Sequence, residues 1–167
     1  GITNAFNFMD NMNGLGTGLG VISAWACAWM AATQGQYLVA LLGFAICGAL
    51  AGFLPFNFPA AAAFLGDAGS HLVGFLVSVL AILPHFYSPE TPKPLTVLSP
   101  LFIVALPLID LAWVVILRTK MGQPFYVGDT NHLSHRLVRR GLSKSTAVLI
   151  LWLLNAVSAT FAFWFLI

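Results

Sequence analysis

The stretch NAFNFMDNMNGLGTGLGVISAWACAWMAA, residues 4–32, joins a set of regularly spaced polar side chains to a long apolar segment. From position 16 to position 32 it contains no charged residue. Because a helix of roughly 20 apolar residues crosses a hydrocarbon core about 30 Å thick, this segment is typical of a transmembrane helix. The stretch therefore predicts a boundary between water and membrane, with polar groups placed directly at it.

Composition extends this prediction to the whole chain. Hydrophobic residues make up 59% of the 167 residues, charged residues make up 7%, and the mean hydropathy is +0.91. A water-soluble domain of this size could not cover such a composition with polar surface. We therefore predict an all-α, polytopic membrane protein in which residues 1–167 form a single membrane domain. Apolar windows bounded by Gly, Pro and polar clusters predict about five transmembrane helices, at 16–32, 37–54, 70–84, 95–117 and 146–167.

The basic residues predict which loops face the cytoplasm. Six of the seven Lys and Arg residues lie in the connection 118–145, and Lys93 is the exception. The positive-inside rule makes that connection cytoplasmic, and the alternation of spans then places 1–14 and 55–69 on the same side. Three polar clusters, which contain Asp10, Asp67 and His132, therefore lie at the same cytoplasmic boundary. A transporter is expected to place such groups near the midplane of the membrane instead.

The first polar cluster places Asn4, Asn7, Asp10 and Asn13 three residues apart. On one continuous helix these positions cover one broad face. Amides both donate and accept hydrogen bonds, which suits a nucleobase or sugar, and Asp10 can accept from a ligand N–H or hold a cation. A solvated, capped entry to the first membrane helix fits the same spacing. In the following GLGTGLG, Gly16 and Gly20 predict close helix packing.

The second cluster is FPAAAAFLGDAGSH, residues 58–71, in which Asp67 lies among small residues just before an apolar helix. Backbone N–H groups at such a helix start favour an anion. A carboxylate beside a phosphate site suits Mg²⁺, which takes few protein ligands and completes its shell with water and phosphate oxygens. An Asp that only caps a turn is the alternative.

The third cluster is GDTNHLSHRLVRRG, residues 128–141, which contains Asp129, His132, His135 and Arg136. The two histidines are three residues apart and can share a helical face. Arg and His donate to phosphate oxygens, so the cluster predicts a cationic cradle for a diphosphate. Zinc is disfavoured because two imidazoles without a thiolate or an HExxH motif do not complete a tetrahedral set. A basic loop that only fixes topology and touches anionic lipids is the alternative.

Asp110 is an ionisable residue inside the fourth predicted span. Such residues usually face the protein interior. Lining the site and bonding to a neighbouring helix both fit this position, and the sequence leaves both open.

The stretches NAFNFMDNMNGL, NFPAAAAFLGDAGS and DTNHLSHRL, in this order, resemble the motifs of polyprenyl-phosphate N-acetylhexosamine-1-phosphate transferases. These bacterial membrane enzymes initiate O-antigen, enterobacterial common antigen, teichoic acid and peptidoglycan lipid carriers. The resemblance extends over the whole chain and implies the C-terminal half of a roughly ten-helix transferase. It also implies a multi-pass protein of the bacterial inner membrane, with its active site on the cytoplasmic face.

The reaction that the resemblance implies converts UDP-N-acetylhexosamine and polyprenyl phosphate into a polyprenyl-diphosphate-sugar and UMP. The arginine at position 136, directly after the last histidine, is similar to the N-acetylglucosamine branch of the family. Mg²⁺ is the implied cofactor, with Mn²⁺ as an alternative ion. The implied partners are the two substrates and membrane lipid, with no nucleic acid, and a homodimer is left open.

The same resemblance implies roles for individual residues. Asp67 would coordinate Mg²⁺ on the nucleotide diphosphate and act with His132 and His135 as the catalytic set. Phe64 would stack on uracil. The other substrate-binding positions that the match implies are Asn4, Asn7, Asp10, Asn57 and Arg136.

Three positions depart from the family pattern. Asn13 replaces the second aspartate of the first motif, Asn11 replaces its first glycine, and Ser134 replaces a further histidine. These departures imply altered sugar preference or weaker metal affinity, and the family's early Asp-Asp pair is expected upstream of this segment. Two other readings stay open: a non-enzymatic transport or flippase subunit, and an inactive homologue.

Overall fold

The computed structural model describes residues 1–84, 94–122 and 131–164. Within these ranges the regular structure is helical, which confirms the all-α class. The α-helices in chain order are α1 (Ile2–Met9), α2 (Leu15–Thr33), α3 (Tyr37–Asn57), α4 (Gly66–Ile82), α5 (Ser99–Ile103), α6 (Ala105–Lys120), α7 (Leu133–Arg139) and α8 (Lys144–Trp164), and a 3₁₀ helix (Pro94–Leu98) precedes α5.

Three helices in the described ranges, α2, α3 and α8, are long and apolar enough to cross a bilayer. The shorter α4, with 17 residues, and a bent pair formed by the 3₁₀ helix, α5 and α6 account for the other two predicted spans. The prediction of about five spans therefore agrees with the structure in outline, and the protein is a multi-pass membrane protein.

The fourth predicted span, 95–117, is broken rather than continuous. Its two parts meet at an angle of 68° around Val104, whose backbone is not helical. Pro107 explains the break, because it has no N–H to give to the carbonyl of Ile103 four residues earlier. That carbonyl instead accepts a hydrogen bond from the Ser23 hydroxyl of α2, at 3.3 Å.

The first polar cluster does not lie on one continuous helix, so that prediction was wrong. Helix α1 ends at Met9, and Asp10 is its C-terminal cap. Gly14, with φ of +75°, turns the chain into α2. Asn4 and Asn7 therefore lie on α1, Asp10 lies at its end, and Asn13 belongs to the turn.

Helix α1 packs between longer helices, and it brings the three motifs together. Its apolar residues Ala5, Phe6 and Met9 are buried, and it packs against α4 and α6. At Gly74 of α4 an added Cβ would lie 2.7 Å from the Cα of Thr3, so the two helices are in close contact. Gly20 of α2 fits its prediction, since a Cβ there would meet Val73 and Leu50.

Candidate functional site

Asn7 connects the first motif to the second. Its Nδ2 donates to Asp67 Oδ1 at 3.2 Å and to Ser70 Oγ at 2.9 Å. Asp67 lies in the first turn of α4 and is exposed to solvent. Within the described ranges its other oxygen, Oδ2, accepts no hydrogen bond. The carboxylate is thus held in place at one oxygen and open at the other.

Asp10 is the second carboxylate of this cluster. It is half-buried, and burial raises its pKa to about 6, with the negative charge of Asp67 as a further raising influence. The backbone N–H of Gly16 donates to it and acts in the opposite direction. A Cβ on Gly16 would lie 2.7 Å from Asp10 Oδ1, so this glycine leaves room for the carboxylate at the end of α1. Its role in close packing between membrane helices stays a prediction.

A cleft of about 170 Å³ adjoins these residues, and residues of the first two motifs line it. Phe64 lies at its edge with 71% of its surface exposed, which leaves the ring accessible. Asn13 lines the same cleft and donates to the Pro59 carbonyl at 3.2 Å. The cleft thus offers an aromatic face beside amide and carboxylate groups.

Asn57 lines the cleft, and its side chain also holds two segments of the chain together by hydrogen bonds. It is 3% exposed, and its Oδ1 accepts from the Thr17 hydroxyl at 2.6 Å and from the Gly14 N–H at 3.0 Å. Its Nδ2 donates to the Ala63 carbonyl at 2.9 Å. The side chain therefore fixes the turn before α2 to the loop before α4, and direct contact with a substrate stays a prediction.

His132 is buried against Asp110 of α6. Its Nδ1 lies 2.6 Å from Asp110 Oδ2, and the Leu133 N–H donates to Asp110 Oδ1 at 2.7 Å. Of the two roles that the sequence left open for Asp110, the structure supports a bond to a neighbouring element. The sequence marked Asp110 as unusual within a span but gave no signal for its partner.

The third motif also contacts the first. Ser134, which is fully buried, donates to Asn11 Oδ1 at 2.5 Å, and Asn11 Nδ2 donates to the Phe8 carbonyl at 2.8 Å. The Phe8 ring meets the His132 ring edge to face, with centroids 6.1 Å apart. Two of the three departures from the family pattern, at positions 11 and 134, are therefore in contact with each other.

The remaining side chains of the His motif carry positive charge or can acquire it. His135 is half-buried with its ring centroid 6.5 Å from that of His132. Burial lowers the pKa of His135, and the nearby His132, Arg139 and Lys144 lower it further. Arg136 lies over the Trp113 ring of α6 at 4.9 Å, and the buried Arg118 lies over Phe8 at 5.8 Å. Sequence reasoning missed Phe8 and Arg118 as neighbours of the site.

One predicted residue of the described ranges, Asn4, is not bonded to this cluster. It is exposed one turn before Asn7, and within the described ranges no hydrogen bond or ion pair joins it to the other site residues. Asp129 lies outside the described residues. Their predicted roles remain predictions.

Asp10 and Asp67 are compatible in ligand chemistry with a magnesium ion. In the described part of the chain no three His, Cys, Asp or Glu side chains are grouped closely enough to hold a metal by themselves. Asp10 and Asp67 lie near enough for the charge of one to raise the pKa of the other, and both offer the hard oxygen ligands that Mg²⁺ prefers. Two such ligands suffice where water and phosphate oxygens complete the shell.

A model of glycosyl transferase family 4 matches residues 1–85. A probable undecaprenyl-phosphate N-acetylglucosaminyl 1-phosphate transferase of Bacillus subtilis is 34% identical, covering 94% of this chain and 43% of that protein. A decaprenyl-phosphate N-acetylglucosaminephosphotransferase of Mycobacterium tuberculosis is 34% identical, with 91% and 42% covered. The undecaprenyl-phosphate alpha-N-acetylglucosaminyl 1-phosphate transferase of Escherichia coli is 30% identical, with 94% and 43% covered. The chain spans less than half the length of these relatives.

Proposed function

This chain belongs to glycosyl transferase family 4, and on that premise we propose that it contributes the donor site of a polyprenyl-phosphate N-acetylglucosamine-1-phosphate transferase. In the proposed reaction, an oxygen of the polyprenyl phosphate attacks the β-phosphorus of UDP-N-acetylglucosamine. A new P–O bond forms, the bond from the β-phosphorus to the bridging oxygen breaks, and UMP leaves with that oxygen. The product is a lipid-linked diphosphate sugar that initiates a cell-envelope polysaccharide.

The contact between Asn7 and Asp67 carries this proposal. It joins the first two motifs around a carboxylate that is exposed and open at one oxygen. Asp10, whose pKa the charge of Asp67 raises, lines a cleft with an accessible aromatic ring. An aromatic face suits stacking on a base, and amides suit hydrogen bonding to a base or sugar. These are the groups that a nucleotide-sugar donor requires.

Phosphoryl transfer depends mainly on positioning and on neutralising charge that is spread over phosphate oxygens. In the proposal Asp67 and Asp10 would hold Mg²⁺, which would supply neutralisation of the negative charge on the donor diphosphate. His135 and Arg136 donate to phosphate oxygens, and Phe64 stacks on uracil. Each residue therefore acts by holding the donor in place or by stabilising negative charge.

The proposed location is the bacterial plasma membrane, with the site on its cytoplasmic face. The apolar helices are the evidence for a location in the membrane. The basic residues of the connection that contains the His motif are the evidence that the site faces the cytoplasm. A site at that boundary lets the nucleotide arrive from water and the lipid phosphate arrive from the bilayer. Assembly as a homodimer stays a prediction.

The closed environment of Asp110 weighs against a transport subunit. This ionisable residue lies within the broken span, yet it is fully buried and both of its oxygens are engaged by the His motif. An ionisable residue that lined a water-filled ion or substrate path would keep an oxygen accessible to that path. An inactive homologue remains the competing reading, and an activity measurement separates the two.

The test uses the full-length protein in membrane vesicles that contain polyprenyl phosphate. Replacing Asp67 by Asn should lower Mg²⁺-dependent UMP release about 100-fold or more, because the variant would lose an ionised oxygen ligand for the ion that neutralises the donor diphosphate. Glu90→Gln is the matched control, since it removes a carboxylate from the loop that the sequence predicts to lie outside. Equal rates for the wild type and Asp67→Asn would contradict the metal assignment.

A further inference from the structure

We propose that Asp110 is a positioning residue that sets the tautomer of His132 and fixes the start of α7. The proposal rests on the proposed function for its catalytic consequence, but its structural part can be measured independently. It starts from two hydrogen bonds that converge on one buried carboxylate across 22 and 23 residues of sequence.

The first bond decides which nitrogen of His132 carries hydrogen. Asp110 Oδ1 accepts from the Leu133 N–H. The proposal takes this carboxylate as ionised, and an ionised carboxylate has no hydrogen to donate. The His132 Nδ1 therefore donates to Oδ2 across the 2.6 Å separation. In a neutral ring with hydrogen on Nδ1, Nε2 is the acceptor. Nε2 is then the atom left to act on substrate.

The second bond fixes the backbone that carries the ring. Leu133 is the first residue of α7, so its N–H has no partner inside the helix. Asp110 supplies that partner from a different element. A single side chain, Asp110, thus holds both the ring of His132 and the helix that carries His135 and Arg136.

Helix α6 provides the base for this arrangement. Besides Asp110 it carries Trp113, on which Arg136 lies, and Arg118, which lies over Phe8. Asp110 and His132 are 0% and 5% exposed, so water does not compete for these bonds. The His motif is therefore positioned by buried hydrogen bonds to α6.

Asp110→Asn separates positioning from folding. The asparagine carbonyl can still accept from the Leu133 N–H, while its amide can only donate to His132 Nδ1. The variant should therefore keep α7 in place and move the ring hydrogen to Nε2. We expect the kcat for UMP release to fall about 100-fold while the KM for the UDP-sugar changes less than about threefold. Asp110→Glu, which keeps the charge, should recover at least a tenth of the wild-type rate.

The direct readout is nitrogen NMR of histidine-labelled full-length protein in alkaline buffer, with His132→Gln to assign the signal. The proposal predicts hydrogen on Nδ1 in the wild type and on Nε2 in Asp110→Asn. Thr119→Ala is the matched control on α6, because the Thr119 hydroxyl bonds only within its own helix, to Val115 O at 2.9 Å. It should change neither the signal nor the rate.

Any other tautomer pattern overturns the proposal, including hydrogen on Nε2 in the wild type or the same state in both proteins. If the wild type releases no UMP, the proposed function fails, but the NMR comparison still decides the positioning role. A normal rate in Asp110→Asn together with the predicted change of tautomer would overturn the catalytic consequence alone.

Discussion

Asp67 and Asp110 each connect a sequence motif to another element, but they do so in opposite surroundings. Asp67 is exposed and receives one side-chain hydrogen bond, from Asn7. Asp110 is fully buried, and both of its oxygens are engaged by His132 and Leu133. A carboxylate that is open to solvent keeps its capacity for a ligand or cation, whereas a buried and fully bonded carboxylate holds the structure.

Energetics support this division of roles. Exposed hydrogen-bonded charges contribute little to stability because water screens them and competes for them. Removing one partner of a buried pair leaves the other unpaired in an apolar environment, which costs much more. The two aspartates should therefore separate activity from stability when each is replaced by the same residue.

The largest expected difference is in stability. Asp110→Leu should lower the free energy of unfolding by about 3–5 kcal/mol, because it leaves His132 Nδ1 and the Leu133 N–H without a partner. Asp67→Leu should change it by less than about 0.5 kcal/mol, as is usual for an exposed site. Thermal unfolding of the full-length protein in detergent measures both. Equal losses in the two variants would contradict the assignment of one aspartate to ligand and the other to structure.

A smaller effect is expected at the second contact of α7, between Asn11 and Ser134. A double-mutant cycle with Asn11→Ala and Ser134→Ala should give a coupling of about 1 kcal/mol, because the two side chains share one hydrogen bond. Asn11→Ala combined with Ser78→Ala is the control and should be additive, since Ser78 bonds to Gly74 in its own helix. Additivity of Asn11→Ala and Ser134→Ala would show that this contact does not hold α7.

A pH-dependent effect is expected at Asp10, which is intermediate between the two aspartates in exposure. Burial raises its pKa to about 6, so the folded chain holds the proton more tightly than the unfolded chain does. Its contribution to stability is therefore complete below about pH 4 and is lost as the pH rises through about 6.

Asp10→Asn should remove this slope from the stability profile. Asp67→Asn should move the slope to lower pH, because it removes a charge that raises the pKa of Asp10. The free energy of unfolding, measured from about pH 4 to about pH 6, checks both changes. A profile that is the same in the wild type and in Asp10→Asn would show that Asp10 does not titrate in this range.

The sequence predicted the helical class and the approximate spans because a helix that crosses a bilayer needs about 20 apolar residues in a row, and such runs are visible in the sequence. The break at Val104 was missed, although Pro107 gives a local reason for it. The continuous polar face of the first cluster was predicted wrongly because Gly14 turns the chain after α1. Local residue chemistry explains both outcomes.

The site was predictable to the extent that its residues lie in motifs. The bond between Asp110 and His132 and the bracing role of Asn57 depend on partners that are distant in sequence, with no spacing rule to connect them. Asn11 and Ser134, which are in contact, are 123 residues apart in the sequence. Such pairings come from how α1, α6 and α7 pack, which a single sequence does not encode as a local pattern.

The most direct test of the central claim is to follow the β-phosphorus. Full-length protein in vesicles with polyprenyl phosphate is supplied with UDP-N-acetylglucosamine that carries ³²P at the β position, together with Mg²⁺. The label should move to the lipid fraction while unlabelled UMP appears, and Asp67→Asn should abolish both. Label that stays in water as sugar phosphate or as UDP, or equal transfer by Asp67→Asn, would contradict the proposed reaction.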